Sequence, residues 1–255
     1  MTGRFLRDIA LDTTGLDRRR YPFNLPIVTG LIAAGRLDLA PGVTFLTGDN
    51  GSGKSTLVEA VAVAAGFNPE GGSRNFRFAT RATESPLGQH LIVGRRPGRR
   101  ERSNFFFRAE SFYNVATEIE NVGMEQAYGG RSLHERSHGE SFLDLITHRF
   151  HPEGLYLLDE PEAALSPRGL LIALARLHEL VRAGSQMLIA THSPILLALP
   201  GATILQAEAD GRLRQVTYDE ADAVQVTRDF LTAPQRSLRH LLTDQPDFRY
   251  GPSPP

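Results

Sequence analysis

Gly48-Asp49-Asn50-Gly51-Ser52-Gly53-Lys54-Ser55-Thr56 follows a β-rich run, Val43-Thr44-Phe45-Leu46-Thr47. An apolar stretch rich in Ala, Val and Leu continues from it to Ala65. The spacing is G-x-x-x-x-G-K-[S/T], set between a predicted strand and a predicted helix, which is the context a phosphate-binding loop requires. Gly48, Gly51 and Gly53 permit backbone angles and close approaches that a Cβ would block. Successive N–H groups then curl around a phosphate at the positive end of the following helix. The pattern assigns Lys54 to the β- and γ-phosphates and the Ser55 hydroxyl to Mg²⁺.

Composition agrees with this reading. The chain holds 28 Lys and Arg, yet Lys54 is its only lysine. A bias toward Arg accounts for the rest of the sequence. A lysine kept against that background marks a place where a compact ammonium fits and a planar guanidinium would overfill the cradle.

The 255 residues suit one large domain, with 41% hydrophobic and 22% charged residues, as in soluble globular chains. A net charge of −1 argues neither for nor against nucleic acid. The absence of cysteine removes disulfides and thiol chemistry and accords with a cytoplasmic home. Residues 1–17 mix charged and apolar side chains and lack the apolar core of a signal peptide. No apolar run approaches the ~18 residues of a membrane span, so no membrane insertion is expected.

Outward from the loop, the pattern is that of an α/β chain. Tyr21 to Val28 carries Pro22 and Pro26 and reads as extended. Tyr21 or Phe23 could stack on adenine, with packing under a sheet as the commoner use. Leu37-Asp38-Leu39 reads as a strand before the Pro41-Gly42 turn. Residues 76–103 are weakly patterned. They include Arg95, Arg96, Arg99, Arg100 and Arg102, broken by Pro97 and Gly98. That cluster reads as a solvated hairpin or as a contact to DNA, RNA or an acidic partner.

Asn104 to Ala109 is a candidate buried strand, and residues 112–150 read as mostly helical, with a break at Tyr128-Gly129-Gly130. Gly154-Leu155-Tyr156-Leu157-Leu158-Asp159-Glu160 and Gln186-Met187-Leu188-Ile189-Ala190-Thr191 are apolar without alternation, as strands covered on both faces are. Pro167 opens a helix that Gly184 stops. Ala202–Gln206 and Arg212–Thr217, joined across Asp210-Gly211, read as a hairpin, and residues 219–242 as polar helices.

Strands ending at Thr47, Asp159 and Thr191 would deliver their functional residues to one sheet edge, where ligands bind in such sheets. Asp159 can then hold the Mg²⁺ that Ser55 touches. Glu160 is placed to accept a proton from an attacking water. His192 reads as a γ-phosphate sensor or as a turn histidine that caps the next helix. Phosphoryl transfer asks for little beyond this positioning and charge neutralisation.

Three segments in this order resemble the ABC-type ATPases: Gly48–Thr56, the strand ending in Asp159-Glu160-Pro161, and Thr191-His192-Ser193-Pro194. The wording is similar to the non-transporter branch, namely SMC-like and RecF-like heads and OLD-like ATPases. The resemblance covers roughly residues 40–207. It implies a P-loop NTPase with a mostly parallel sheet flanked by helices, an antiparallel β portion and a helical subdomain. One domain would fill residues 1–255, with its core at about 1–110 and 151–242. The helical subdomain would take about 111–150, and a disordered tail 243–255.

The resemblance also implies roles. Gly48, Asp49, Asn50, Gly51, Ser52, Gly53, Lys54, Ser55 and Thr56 would bind ATP as Walker A. Asp159 would be the Walker B metal ligand, Glu160 the catalytic base and His192 the switch histidine. Ala164-Leu165-Ser166-Pro167 would be the D-loop, with Pro167 where an Asp is usual. Ser137-His138-Gly139-Glu140 stands where a signature segment belongs, with His138 in place of its first glycine. Either Glu110 or Gln89 would serve as the Q-loop residue, Glu110 following its strand in the expected place and reaching Mg²⁺ or its waters.

In this family a second copy completes the site, with Ser137, Gly139 and Glu140 facing the neighbouring P-loop. ATP is thus expected to drive a homodimer, and a DNA or protein partner is expected to use its cycle. A transporter's nucleotide-binding subunit and a non-hydrolytic ATP-gated module are the competing readings. No heptad-patterned insert of coiled-coil length parts the two Walker segments, and no nuclease domain fits after residue 207.

Overall fold

The structure is a computed structural model, which describes residues 4–74, 85–112, 115, 117 and 138–243. Its elements run β1 (Leu6–Leu11), α1 (Pro26–Ala34), β2 (Leu37–Asp38), β3 (Val43–Gly48), α2 (Lys54–Ala64), α3 (Leu87–His90), β4 (Leu91–Arg95) and β5 (Ser103–Arg108). They continue with α4 (His138–His148), β6 (Gly154–Asp159), α5 (Pro167–Arg182), β7 (Gln186–Ala190), α6 (Pro194–Leu197), β8 (Thr203–Ala207), β9 (Leu213–Val216), α7 (Asp222–Thr232) and α8 (Pro234–Thr243).

Six strands form the main sheet in the order β5-β6-β7-β3-β8-β9. All neighbours are parallel except β9, which turns back antiparallel on β8 as the hairpin reading expected. The period-2 rule divides each central strand between two cores. Val43 and Phe45, Tyr156 and Leu158, and Met187 and Ile189 face one core with α4, α5 and α7. Leu46, Leu155, Leu157, Leu188 and Ala190 face the other, with α1, α2 and the second sheet. Both faces are covered, so these strands carry no polar alternation.

The second sheet, β2-β1-β4, is antiparallel. It is the antiparallel portion that was expected, and β2 falls on the strand read at Leu37-Asp38-Leu39, whereas β1, β4 and α1 depart from the sequence reading. Tyr21–Val28 is not extended: α1 begins at Pro26, the first helical position, where the missing N–H would have no partner anyway. β1 was hidden because Asp8 points inward beside the exposed Arg7, which breaks the apolar alternation. The arginine cluster is not a hairpin either. β4 belongs to the small sheet and β5 to the large one, so residues 96–102 cross between sheets.

One side chain ties the two sheets. Gln186 Oε1 accepts from the N–H groups of Phe5 (2.7 Å) and Leu6 (2.8 Å). Its Nε2 donates to the carbonyls of Leu6 (2.8 Å) and Ala40 (2.9 Å). A buried amide with these four bonds satisfies its hydrogen-bonding capacity without water.

The break at Tyr128-Gly129-Gly130, most of the segment expected as a helical subdomain, and the tail from residue 244 lie outside the described residues. Among the described residues no helix is long and apolar enough to cross a membrane.

Candidate active site

β3 delivers the loop to the carboxyl edge of the main sheet, beside the ends of β6, β7 and β8. Gly48 (φ 129°) lies where a Cβ would meet the Ala207 carbonyl oxygen at 2.7 Å. Gly53 (φ 97°) is equally tight, with Ile27 Cγ2 at 2.8 Å from a Cβ position. The loop backbone is thus wedged between β8 and the start of α1, where Ile27 N–H donates to the Ser52 carbonyl (3.0 Å). Asp49, Asn50 and Gly51 are exposed, Ser52 and Lys54 buried, and Ser55 and Thr56 half-buried. α2 starts at Lys54, so its first N–H groups, which have no intrahelical acceptor, open toward the loop.

Lys54 Nζ donates to the carbonyls of Gly48 (2.9 Å) and Asp49 (2.8 Å) and to Ser52 Oγ at 3.4 Å. Burial pulls its pKa down. Glu160, Asp49, Asp159 and Glu162 oppose that pull, so Lys54 shares one field with the acids at the end of β6.

Asp159 ends β6 and is 4% exposed. Burial pushes its carboxyl up to about 6, with Glu160 and Glu110 adding to the rise. A hydrogen bond from Ser55 and the charge of Arg108 act the other way. Asp159 Oδ1 is buried without a protein partner. The next residue, Glu160, is held at φ 49°, ψ 52°, a left-handed conformation that costs a non-glycine residue. Its N–H donates to the Ala190 carbonyl (3.0 Å), which locks the two strand ends together.

His192 follows β7 and is half-buried. Desolvation, and then Lys54, lower its pKa against the pull of Glu160, Glu162 and Asp49, which favours the neutral ring. Its Nε2 is buried and unpartnered. The structure therefore brings Lys54, Ser55, Asp159, Glu160 and His192 to one edge, as the strand-end reading expected.

Glu110 is exposed two residues beyond β5, close enough to act on Asp159. Gln89 is exposed on α3, and its neighbour Gly88 packs on Ala60 and Val63, toward the end of α2 remote from the loop. Phe23 is buried edge-to-face against His90 (5.4 Å, 86°), while Tyr21 is exposed. Gly139 and Glu140 open α4, half-buried and exposed respectively. Ser137 lies outside the described residues.

Two residues at this edge escaped the sequence reading. Arg108, in register with Asp159, pairs with Glu59 of α2 (2.9 Å) and stands 3.5 Å from Glu110 and 3.6 Å from Asp159. Glu162 Oε1 accepts from Thr191 Oγ1 (2.7 Å) and His192 N–H (2.6 Å). Its place in Glu160-Pro161-Glu162 was the only sequence signal for it.

Among the described residues no group of three or more His, Asp or Glu could hold a metal by itself. A Mg²⁺ fits nonetheless. It keeps several waters, takes one or two protein oxygens plus substrate phosphates, and here finds the orphaned Asp159 Oδ1 beside the Ser55 hydroxyl.

Comparison with known proteins agrees with the motifs. Residues 32–141 match the family described as "AAA domain", and residues 127–198 match "AAA domain, putative AbiEii toxin, Type IV TA system". No curated protein matches the chain. Among solved structures it is similar to CbiO1 from Clostridium perfringens, part of the ABC transporter complex CbiONQ. That match has 18% identity over 94% of this chain and 100% of the other, with a TM-score of 0.48. It is also similar to the SMC head domain from Thermotoga maritima, at 16% identity over 84% and 99%, with a TM-score of 0.42.

Proposed function

We propose, from the premise that this chain is an ATP-binding P-loop ATPase of the AAA, ABC and SMC kind, that it hydrolyses ATP to ADP and phosphate in a homodimer. The observation that carries the reading is the meeting of two segments about a hundred residues apart. The Ser55 hydroxyl lies close enough to the Asp159 carboxyl to draw its pKa down, and Lys54 lies in the field of Glu160 and Asp159.

In this reading the backbone of Gly48–Thr56 cradles the phosphates and Lys54 neutralises the β- and γ-groups. Ser55 and Asp159 hold Mg²⁺, with Glu110 reaching it or its waters. The bound ion supplies charge neutralisation of the phosphates. Glu160 takes the proton of the attacking water, and its left-handed backbone fixes where that carboxylate stands. His192 turns its unpartnered Nε2 to the terminal phosphate. Ser137, Gly139 and Glu140 of a second copy close the site.

DNA is the partner that the basic loop favours. Arg95, Arg96, Arg99 and Arg100 line an open cavity of about 720 Å³. Arg95 is engaged by the Ala65 carbonyl (3.1 Å) and lies 3.7 Å from Glu101. Arg96, Arg99 and Arg100 make no ion pair with any described residue. Unneutralised arginines around a concavity suit a phosphate backbone.

Steady-state phosphate release tests both parts. Glu160→Gln is expected to lower turnover by at least about 10²-fold with ATP still bound. DNA is expected to stimulate the native chain, and neutralising Arg96, Arg99 and Arg100 to weaken that stimulation by about tenfold at physiological salt. Full turnover in Glu160→Gln would refute the catalytic assignment. Stimulation that is absent, or that survives loss of the arginines, would remove DNA from the reading.

A further inference from the structure

Two turns meet at the carboxyl edge of the main sheet, and a single carboxylate joins them. After Glu160 the chain makes a short 3-10 turn, Pro161–Ala164, that carries Glu162. Glu162 Oε1 accepts the Thr191 hydroxyl proton at 2.7 Å and the His192 N–H at 2.6 Å. Thr191 Oγ1 in turn accepts from Ser193 N–H (3.0 Å), and Thr191 is fully buried. Thr191 and His192 thus hang from one carboxylate oxygen, and Ser193 hangs from the Thr191 hydroxyl. A second tie, from Glu160 N–H to the Ala190 carbonyl, prevents the strand ends from sliding apart. The imidazole Nε2 has no partner of its own. Its position is therefore set by the backbone of residues 191–193, which Glu162 holds together with the Leu46 carbonyl, the acceptor of Thr191 N–H (3.0 Å).

We infer that Glu162 is a positioning residue for His192, holding the imidazole at the place of the terminal phosphate by accepting two hydrogen bonds rather than by moving a proton. The inference rests on the reading of His192 as the γ-phosphate contact. It separates the two acids of Glu160-Pro161-Glu162 by role. Glu160 needs a carboxylate to take a proton. Glu162 needs only an oxygen that accepts from Thr191 and His192, and an amide oxygen can also accept two bonds.

The test measures kcat and KM for ATP in Glu162→Gln, Glu162→Ala, His192→Ala and the double variant Glu162→Ala/His192→Ala. Thermal melts and binding of a fluorescent ATP analogue accompany them. Glu162→Gln is expected to keep kcat within about threefold of native, because the acceptor survives. Glu162→Ala is expected to lose about 10- to 100-fold in kcat with little change in KM, as a displaced catalytic group does. The double variant is expected to be no slower than His192→Ala, since both changes remove one unit.

Thr191→Val, which deletes one of the two donors, covers the case in which Glu162→Ala does not fold. It should lower kcat in the same direction. An inactive but folded Glu162→Gln, additive losses in the double variant, or native kcat in both Glu162→Ala and Thr191→Val would overturn the inference. Native kcat in His192→Ala would instead overturn the reading of His192 beneath it.

Discussion

Asp159 carries a burial cost that can be read as stability. It is buried beside Glu160 and Glu110, and its carboxyl is pushed up to about 6 from an ordinary 3.8. The folded state therefore holds the proton longer than the unfolded chain does. The stability contributed by the protonated form is complete below about pH 4 and is lost as pH rises through about 6. Above that, the ionised side chain costs up to ~3 kcal/mol in the absence of Mg²⁺ and nucleotide. Asp159→Asn should thus raise the melting temperature by several degrees at pH 7.5, and the gain should vanish near pH 4. A variant less stable than native at pH 7.5 would contradict this account of the burial.

The residues that announced themselves in the sequence were those whose type and place coincide: a lysine after Gly-x-Gly, acids at the end of an apolar strand, a histidine after another. Arg108 and Glu162 did not. Their partners, Glu59 and Thr191, are far away in the chain, and only folding brings each pair together.

At the scale of elements, the strands that hold the site were legible because each is apolar on both faces. β3, β6 and β7 are the centre of a doubly covered sheet, where strands lose their polar alternation. Of the small sheet only β2 was legible, at Leu37-Asp38-Leu39. β1 carries an inward Asp8, and β4 has Gly94 packed on Asp8. α1 was masked by the two prolines that precede and open it.

The small sheet joins the large one through Gln186, whose polar side chain at the start of an apolar strand hinted at nothing. Gln186→Ala would strand the N–H groups of Phe5 and Leu6 in a buried place. It should cost about 2–4 kcal/mol in urea unfolding, as broken buried networks do. A loss below about 0.5 kcal/mol would show that the two sheets are held together by apolar packing alone.

At the scale of the whole molecule, the candidate site residues meet at one edge of the main sheet. Lys54, Ser55, Asp159, Glu160 and His192 converge there from β3, α2, β6 and β7. The expected signature residues Gly139 and Glu140 open α4, a separate element on the other core. Under the proposed function, these residues would face the P-loop of a second copy. The account's central claim is therefore that ATP joins two chains and hydrolysis parts them. Light scattering on the size-exclusion peak of Glu160→Gln, with ATP and Mg²⁺, tests it most directly. The account predicts a stable dimer of the 28.0 kDa chain with ATP and a monomer with ADP. A monomer that persists at saturating ATP would contradict it.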